Sequence, residues 1–354
     1  MKKYPLINGM HSHLRQFSLL AVLAVCFVSR TGCGQEASSS PEYQPRQIVS
    51  GTIRIWGNEF MSDVTKKWAD GFRKYQPAVR FEFKLMGTAT AMPALYTNRA
   101  DLALLGRESN STDDNGFIHV LYYAPLRFDL MTGSLDVPGK SYALAIFVHK
   151  DNPLSKLTMN QLAAIFGCEP RQGLASIRTW GQLGLTGSWK DKQINLYSYD
   201  AETGTGLFFL HAVLADSRKM SWKNLREFKD LKNVDGSTYE SGKQIIDQLQ
   251  QDRFGLAVSS VRYANPAVKA VALSTKDGGP YILPTKEHLI SRAYPLTRTT
   301  YAFVNQRPGQ AIDPKLKEFL RYVFSREGQE DVARAGGYLP LGPEAILEQL
   351  RTLK

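Results

Sequence analysis

From residue 49 onward, short runs that alternate apolar and polar residues take turns with longer runs of helical period. Thr52-Ile53-Arg54-Ile55-Trp56 alternates and stops at Gly57, which reads as a strand and its turn. Val64, Trp68 and Phe72 recur every fourth residue and predict a helix over 61–74. Phe81-Glu82-Phe83-Lys84-Leu85 is a second alternating strand. Residues 87–91 turn into a short helix near 92–97, and Asp101-Leu102-Ala103-Leu104-Leu105-Gly106 is a third strand, apolar enough for burial on both faces. This β-α-β-α-β opening implies a parallel sheet covered by helices. Further strands are predicted over 142–148, 193–197, 254–258, 268–273 and 301–304. Helices are predicted over 158–166 with Thr158 as cap, and over 206–214, 242–250, 315–325 and 327–335. Residues 219–240 are polar and irregular and read as a surface excursion. No internal repeat is visible.

The first 48 residues do not join this pattern. Basic residues precede an apolar run over 17–28, about 12 residues long, which suits a secretory leader rather than a membrane span. Residues 1–32 are read as a signal peptide. Cys33 follows in Thr31-Gly32-Cys33-Gly34, which resembles a lipoprotein box and makes Cys33 a candidate lipidation site, although Arg30 stands where such boxes carry an apolar residue. Residues 33–48 are rich in Ser, Pro and Glu and read as a flexible tether. The chain has 354 residues, 43% hydrophobic and 22% charged, which leaves room for two globular domains beyond the leader. The net charge of +11 falls to about +7 without the leader's Lys2, Lys3, Arg15 and Arg30. A moderately basic chain favours anionic ligands or simple solubility. No Lys/Arg run with interleaved aromatics argues for nucleic acid. Cys168 would be the lone cysteine of the folded part and reads as a small, partly buried residue.

Candidate chemistry centres on Thr203-Gly204-Thr205-Gly206, which sits where the strand over 193–197 gives way to a helix. Backbone N–H groups at a helix start have no intrahelical acceptor, and the helix dipole adds partial positive charge there. Glycine lets a ligand approach, and threonine hydroxyls can donate, so the turn suits an oxyanion. The same residues also suit an ordinary cap and turn. His119, His149, His211 and His288 show no paired metal spacing. There is no Gly-x-Ser-x-Gly, Walker loop or Cys-x-x-Cys, so neither an enzyme, a metal nor a cofactor is expected.

Several segments in fixed order resemble the phosphate-binding type of periplasmic solute-binding proteins of ABC transporters. Gly57-Asn58-Glu59-Phe60 with Trp68 is similar to that family's first ligand loop, Gly-x-Thr/Ser-Phe. Asp151-Asn152-Pro153-Leu154-Ser155-Lys156-Leu157-Thr158 is similar to Pro-Asp-Asn-Pro-x-x-x-Leu-Thr. Gln161 to Phe166 and Thr179-Trp180-Gly181-Gln182-Leu183-Gly184 continue the likeness. Tyr294-Pro295-Leu296-Thr297-Arg298, Ser325-Arg326-Glu327-Gly328-Gln329 and Gly337-Tyr338-Leu339-Pro340-Leu341 complete it, over about residues 50–342. The resemblance implies an α/β, two-lobed periplasmic-binding-protein-like fold of type II with the ligand cleft between lobes. Lobe 1 is expected over 49–141 and 295–354, with lobe 2 inserted as 142–294. It also implies binding of phosphate or a related small oxyanion, an ABC permease as partner, a monomer, and a place in the periplasm or on the membrane through a lipid anchor.

Carried over position by position, the ligand residues are Glu59, Phe60, Thr88, Ala89, Arg107, Tyr199, Thr203, Gly204 and Thr205. The family's pattern is altered at several of them. Glu59 replaces a hydroxyl residue, and a carboxylate about 4 Å from a phosphate costs on the order of 1–4 kcal/mol. Gly106 stands where Ser or Asp is usual. Tyr199 stands where the family carries an arginine, so a neutral phenol replaces a two-pronged cation. Each residue keeps a plain alternative: Glu59 as a helix-start carboxylate, Phe60 as core, Thr88 as a turn residue, Tyr199 as packing, and Arg107 paired with Glu108 or Asp101. An alternative function keeps the fold. In it the chain is a divergent envelope protein that binds a different small ligand or acts as a sensor or interaction module.

Overall fold

The computed structural model describes residues 40–169 and 174–353. The leader, Cys33 and most of the tether lie outside the described residues. Among those described, no helix is long and apolar enough to cross a membrane.

In chain order the elements are β1 (Gly51–Gly57), α1 (Ser62–Arg73), β2 (Val79–Lys84), α2 (Ala91–Tyr96), β3 (Leu102–Leu105), α3 (Ser111–Leu121) and β4 (Leu126–Thr132). Then come β5 (Ala145–His149), β6 (Lys156–Thr158), α4 (Met159–Phe166), β7 (Asn195–Tyr199), α5 (Gly204–Leu214), β8 (Leu225–Phe228), β9 (Leu231–Lys232) and β10 (Thr238–Tyr239). The chain ends with α6 (Ser241–Leu249), β11 (Gly255–Ser259), β12 (Val268–Ser274), α7 (Lys286–Ile290), β13 (Thr299–Val304), α8 (Pro314–Val323), α9 (Arg326–Ala335) and α10 (Pro343–Thr352).

Two sheets organise two lobes. The first has the order β2-β1-β3-β13-β4, and the second β6-β12-β5-β11-β7-β8. β1 runs parallel to β2 and β3, whereas β13 enters antiparallel between β3 and β4. In the second sheet β11, β7 and β8 are parallel, and β5 is antiparallel to both its neighbours. Residues 133–144 carry the chain from the first sheet to the second, and 275–298 carry it back. The two passages are bonded to each other: Tyr294 Oη donates to the Leu144 carbonyl at 2.8 Å, and Leu144 N–H to the Leu296 carbonyl at 3.3 Å.

The helical period of α1 buries Val64, Trp68 and Phe72 against the first sheet. Each such side chain contributes about 1.5–3 kcal/mol by leaving water. Trp68 Nε1 also donates to the Gly328 carbonyl at 2.8 Å, which ties α1 to α9. The inserted lobe has its own core, in which Phe166 of α4 meets Phe209 of α5 edge-on at 4.8 Å.

Several elements, among them α3, β4, β8, α7 and α10, lie outside the sequence reading. α3 and β4 were not foreseen, because α3 buries only Phe117 and starts on polar residues. Its start is fixed by a capping box in which Asn110 accepts the Asp113 N–H and Asp113 accepts the Asn110 N–H. The polar excursion supplies β8, a sheet-edge strand beside β7. Cys168 is exposed, not partly buried.

Candidate functional site

Three loops at the C-terminal ends of β1, β2 and β3 meet at one edge of the first sheet, where open α/β sheets place ligands. Asn58 joins them. Its Oδ1 accepts the Phe60 N–H at 2.9 Å, and its Nδ2 donates to Thr88 Oγ1 at 2.8 Å. A Cβ on Gly106 would lie 2.8 Å from the Asn58 side chain. This explains the departure at Gly106: the Asn58 amide fills the space that a serine or aspartate would need. Glu59 is exposed in the short 3-10 turn that follows, and its carboxylate reaches toward Gly87, 4.0 Å from where a Cβ there would stand. Ala89 is exposed in the matching turn after β2.

Phe60 is not core. It is 46% exposed and packs against Gly139, where a Cβ would come within 2.7 Å of the ring. The Phe60 carbonyl accepts from Lys140 Nζ at 2.5 Å, and that ammonium also stands over the Tyr338 ring at 5.1 Å. Burial pulls the Lys140 pKa down, partly opposed by Asp63. The Ser141 hydroxyl donates to the Gly106 carbonyl and so pins the first interlobe passage to the third loop.

Arg107 pairs with neither Glu108 nor Asp101 through their carboxylates. Its guanidinium bonds Asp113 at 2.6 Å and the Glu108 carbonyl at 2.7 Å, while Asp101 is taken by Arg54. The Arg107 Cδ lies 3.6 Å from the place of a Cβ on Gly204, so this first-lobe side chain touches the start of α5 in the inserted lobe. Glu108 turns the other way and binds Arg298 at 2.8 Å. Arg298 is only 4% exposed and its guanidinium stands 4.9 Å from the ring centroid of Phe208, one turn below Gly204 on α5. Two arginines thus lie along one face of α5.

In the inserted lobe, Thr203 caps α5. Its hydroxyl accepts the Gly206 N–H at 3.1 Å and donates to the Asp200 carbonyl at 2.7 Å. That hydroxyl is committed to the turn. The N–H groups of Gly204 and Thr205 remain at the mouth of α5 without an acceptor inside the helix. Gly206 is required by a close approach, since a Cβ there would stand 2.1 Å from the Asp200 carbonyl oxygen. Glu202 points away to pair with Arg218. Tyr199 does not face the cleft as a donor. It is 2% exposed, and its hydroxyl stands 3.5 Å from both Tyr142 Oη and Ser259 Oγ, under the first turn of α6. Burial, with Tyr142 beside it, pushes its pKa well above the usual phenol value.

Between α3 and α5 lies a cavity of about 550 Å³, with Arg107 and Ser109 on one wall and Gly204 and His211 on the other. Of the ligand residues taken from the sequence, Arg107 and Gly204 line it. Glu59, Phe60, Thr88 and Ala89 sit at the first-lobe loops, Thr203 and Thr205 sit at the α5 start, and Tyr199 is interior. Asn58, Lys140, Glu108 and Arg298 were not foreseen. Asn58 and Arg298 both lie in segments that carry the family resemblance, and Arg298 is the buried cation among the four.

Two lobes joined by two passages, with strand-end loops and a helix start facing across a cleft, define the periplasmic-binding-protein class. The model of the PBP superfamily domain matches residues 43–327. The phosphate-binding protein PstS of Pseudomonas aeruginosa is 31% identical over 313 residues, 87% of this chain and 88% of that protein. The chain belongs to the phosphate-binding type of periplasmic solute-binding proteins. Protein SphX of Synechocystis is 25% identical over 303 residues, 84% of this chain and 80% of that protein. Among solved structures, PstS from Borrelia burgdorferi matches with a TM-score of 0.54 over 82% of this chain and 99% of its own, at 14% identity, a likeness of fold.

Proposed function

We propose that this chain is the solute-binding component of an ABC uptake system, that it binds phosphate or a related small oxyanion, and that it hands its ligand to a permease without catalysis. The observation that carries this reading is the mouth of α5. Two uncommitted backbone donors at Gly204 and Thr205 lie beside the Arg107 side chain of the opposite lobe. An oxyanion there would accept from the helix start and be neutralised from the first lobe, and the lobes would close on it by rotation about the paired passages. In this reading the protein works as a monomer outside the bacterial inner membrane, in the periplasm or held to the membrane through Cys33. The names of the related proteins support phosphate as the ligand.

Isothermal titration of ligand-stripped protein with orthophosphate and with sulfate tests the reading. Orthophosphate is expected to bind with a Kd of about 1 μM or tighter, near −8 kcal/mol. Absence of binding to either anion would sink the oxyanion ligand. A second reading, a different ligand or a sensor role, is favoured by the exposed Glu59 beside the second loop. It gains if a neutral or cationic solute binds in place of the anions.

A further inference from the structure

We infer that the cavity between α3 and α5 takes the hydroxylated carbon skeleton of a small phosphate monoester, a phosphorylated polyol or sugar, whose phosphoryl group sits at the α5 start. This deepens the oxyanion reading and rests on it. Three observations lead to it. Gly204 and Arg107, which touch each other at the α5 start, both line the cavity, so the ester oxygen of a phosphoryl group held there would have the cavity beside it. Its volume of about 550 Å³ lies within the range of about 300–1,000 Å³ typical of sites for organic ligands. A bare tetrahedral anion would use only the mouth.

The lining then selects the skeleton. Arg107, Arg127 and Arg218 are matched by Glu108, Asp114 and Asp216, so the fixed charges balance. A second phosphate would need a surplus of cations. Hydroxyl groups suit balanced walls, because they donate to carboxylates and accept from guanidinium and backbone groups. Carbon surface is offered on the α5 side by Leu207 and Phe208, and on the first-lobe side by Tyr301. The monoester also keeps what the helix start recognises, since its second pKa is about 6 and the phosphoryl group is a dianion at neutral pH.

The test is isothermal titration of the full-length mature protein with orthophosphate, glycerol 3-phosphate, glucose 6-phosphate and free glucose, repeated on Leu207→Trp. At least one monoester is expected to bind about tenfold tighter than orthophosphate, the scale of one or two good hydrogen bonds. Free glucose is expected not to bind. Leu207→Trp fills the cavity from a partly exposed position, so it should weaken the monoester about tenfold or more and leave orthophosphate within about twofold. Orthophosphate binding with both monoesters weaker overturns the inference and leaves the oxyanion reading standing. Monoester binding that Leu207→Trp does not change overturns the cavity assignment. Failure of every phosphate compound overturns the oxyanion reading and this inference together.

Discussion

In the first lobe the ligand loops hold one another, whereas in the inserted lobe the helix start holds itself. Asn58 fixes its own turn, bonds Thr88 of the next loop and fills the space above Gly106 of the third, so one amide sets three loops. The α5 mouth depends on its own residues, the Thr203 cap and the packing of Gly206 on the Asp200 carbonyl. The difference teaches where damage spreads. A change at Asn58 should disturb the whole first-lobe face, and a change at Thr203 should stay within one turn. The halves meet at Arg107 and Arg298 along α5.

The largest expected effect is at that meeting point. Arg298→Met leaves Glu108 without its cation and removes the contact with Phe208. Urea unfolding should show a loss of about 3–5 kcal/mol, partly recovered in Arg298→Met with Glu108→Gln. A loss below about 1 kcal/mol would mean that Arg298 does not tie the first lobe to α5. Gly206→Ala comes next. Its Cβ meets the Asp200 carbonyl, so stability should fall by about 1–3 kcal/mol and phosphate binding should weaken as the helix mouth shifts. Unchanged binding would show that α5 does not hold the anion.

The comparison itself is sharpened by Asn58→Ala and Thr203→Ala. Each removes a cap, at a cost of about 0.5–2 kcal/mol. Phosphate affinity should drop about tenfold or more for Asn58→Ala and about threefold for Thr203→Ala, because only Asn58 ties separate loops. Equal losses by titration would erase the contrast. Glu59→Gln should raise phosphate affinity about two- to fivefold at low salt, and the gain should fade in high salt, because an exposed carboxylate acts through screened repulsion.

The smallest effect concerns pH. Burial raises the Asp101 pKa, but the Arg54 hydrogen bonds and charge outweigh it, and the net shift is downward. A depressed carboxyl pKa stabilises the fold above the unfolded value of about 3.9 and loses that contribution as pH falls through the folded value. Thermal unfolding should therefore show a decline below about pH 4 that is shallower in Asp101→Asn.

Much of the scaffold was legible in the sequence because its signals are local. Val64, Trp68 and Phe72 announce α1 within nine residues, and Thr158 caps α4 with Gln161 in a capping box three residues on. The helix after Thr203 starts two residues earlier than predicted, since glycine lowers helix propensity without preventing a capped first turn. The site was less legible because its contacts are distant in sequence. Tyr199 could be seen as a departure from the family's arginine, but its neighbours Tyr142 and Ser259 lie 57 and 60 positions away. Arg107 could be seen as a cation, yet its partner Asp113 is placed by α3, a helix with only one buried side chain.

The central place of β13 has a consequence for biosynthesis. Strands β5 to β12 are contiguous in the chain, so the second sheet can assemble as soon as Ser274 has been synthesised. The first sheet cannot close until Val304 arrives, because β13 must enter between β3 and β4, and β4 meets β3 only through it. During synthesis, therefore, β1 to β4 wait with a gap in their sheet while more than 150 residues follow. The half-built first lobe is the stage of its synthesis most exposed to strand capture by other chains.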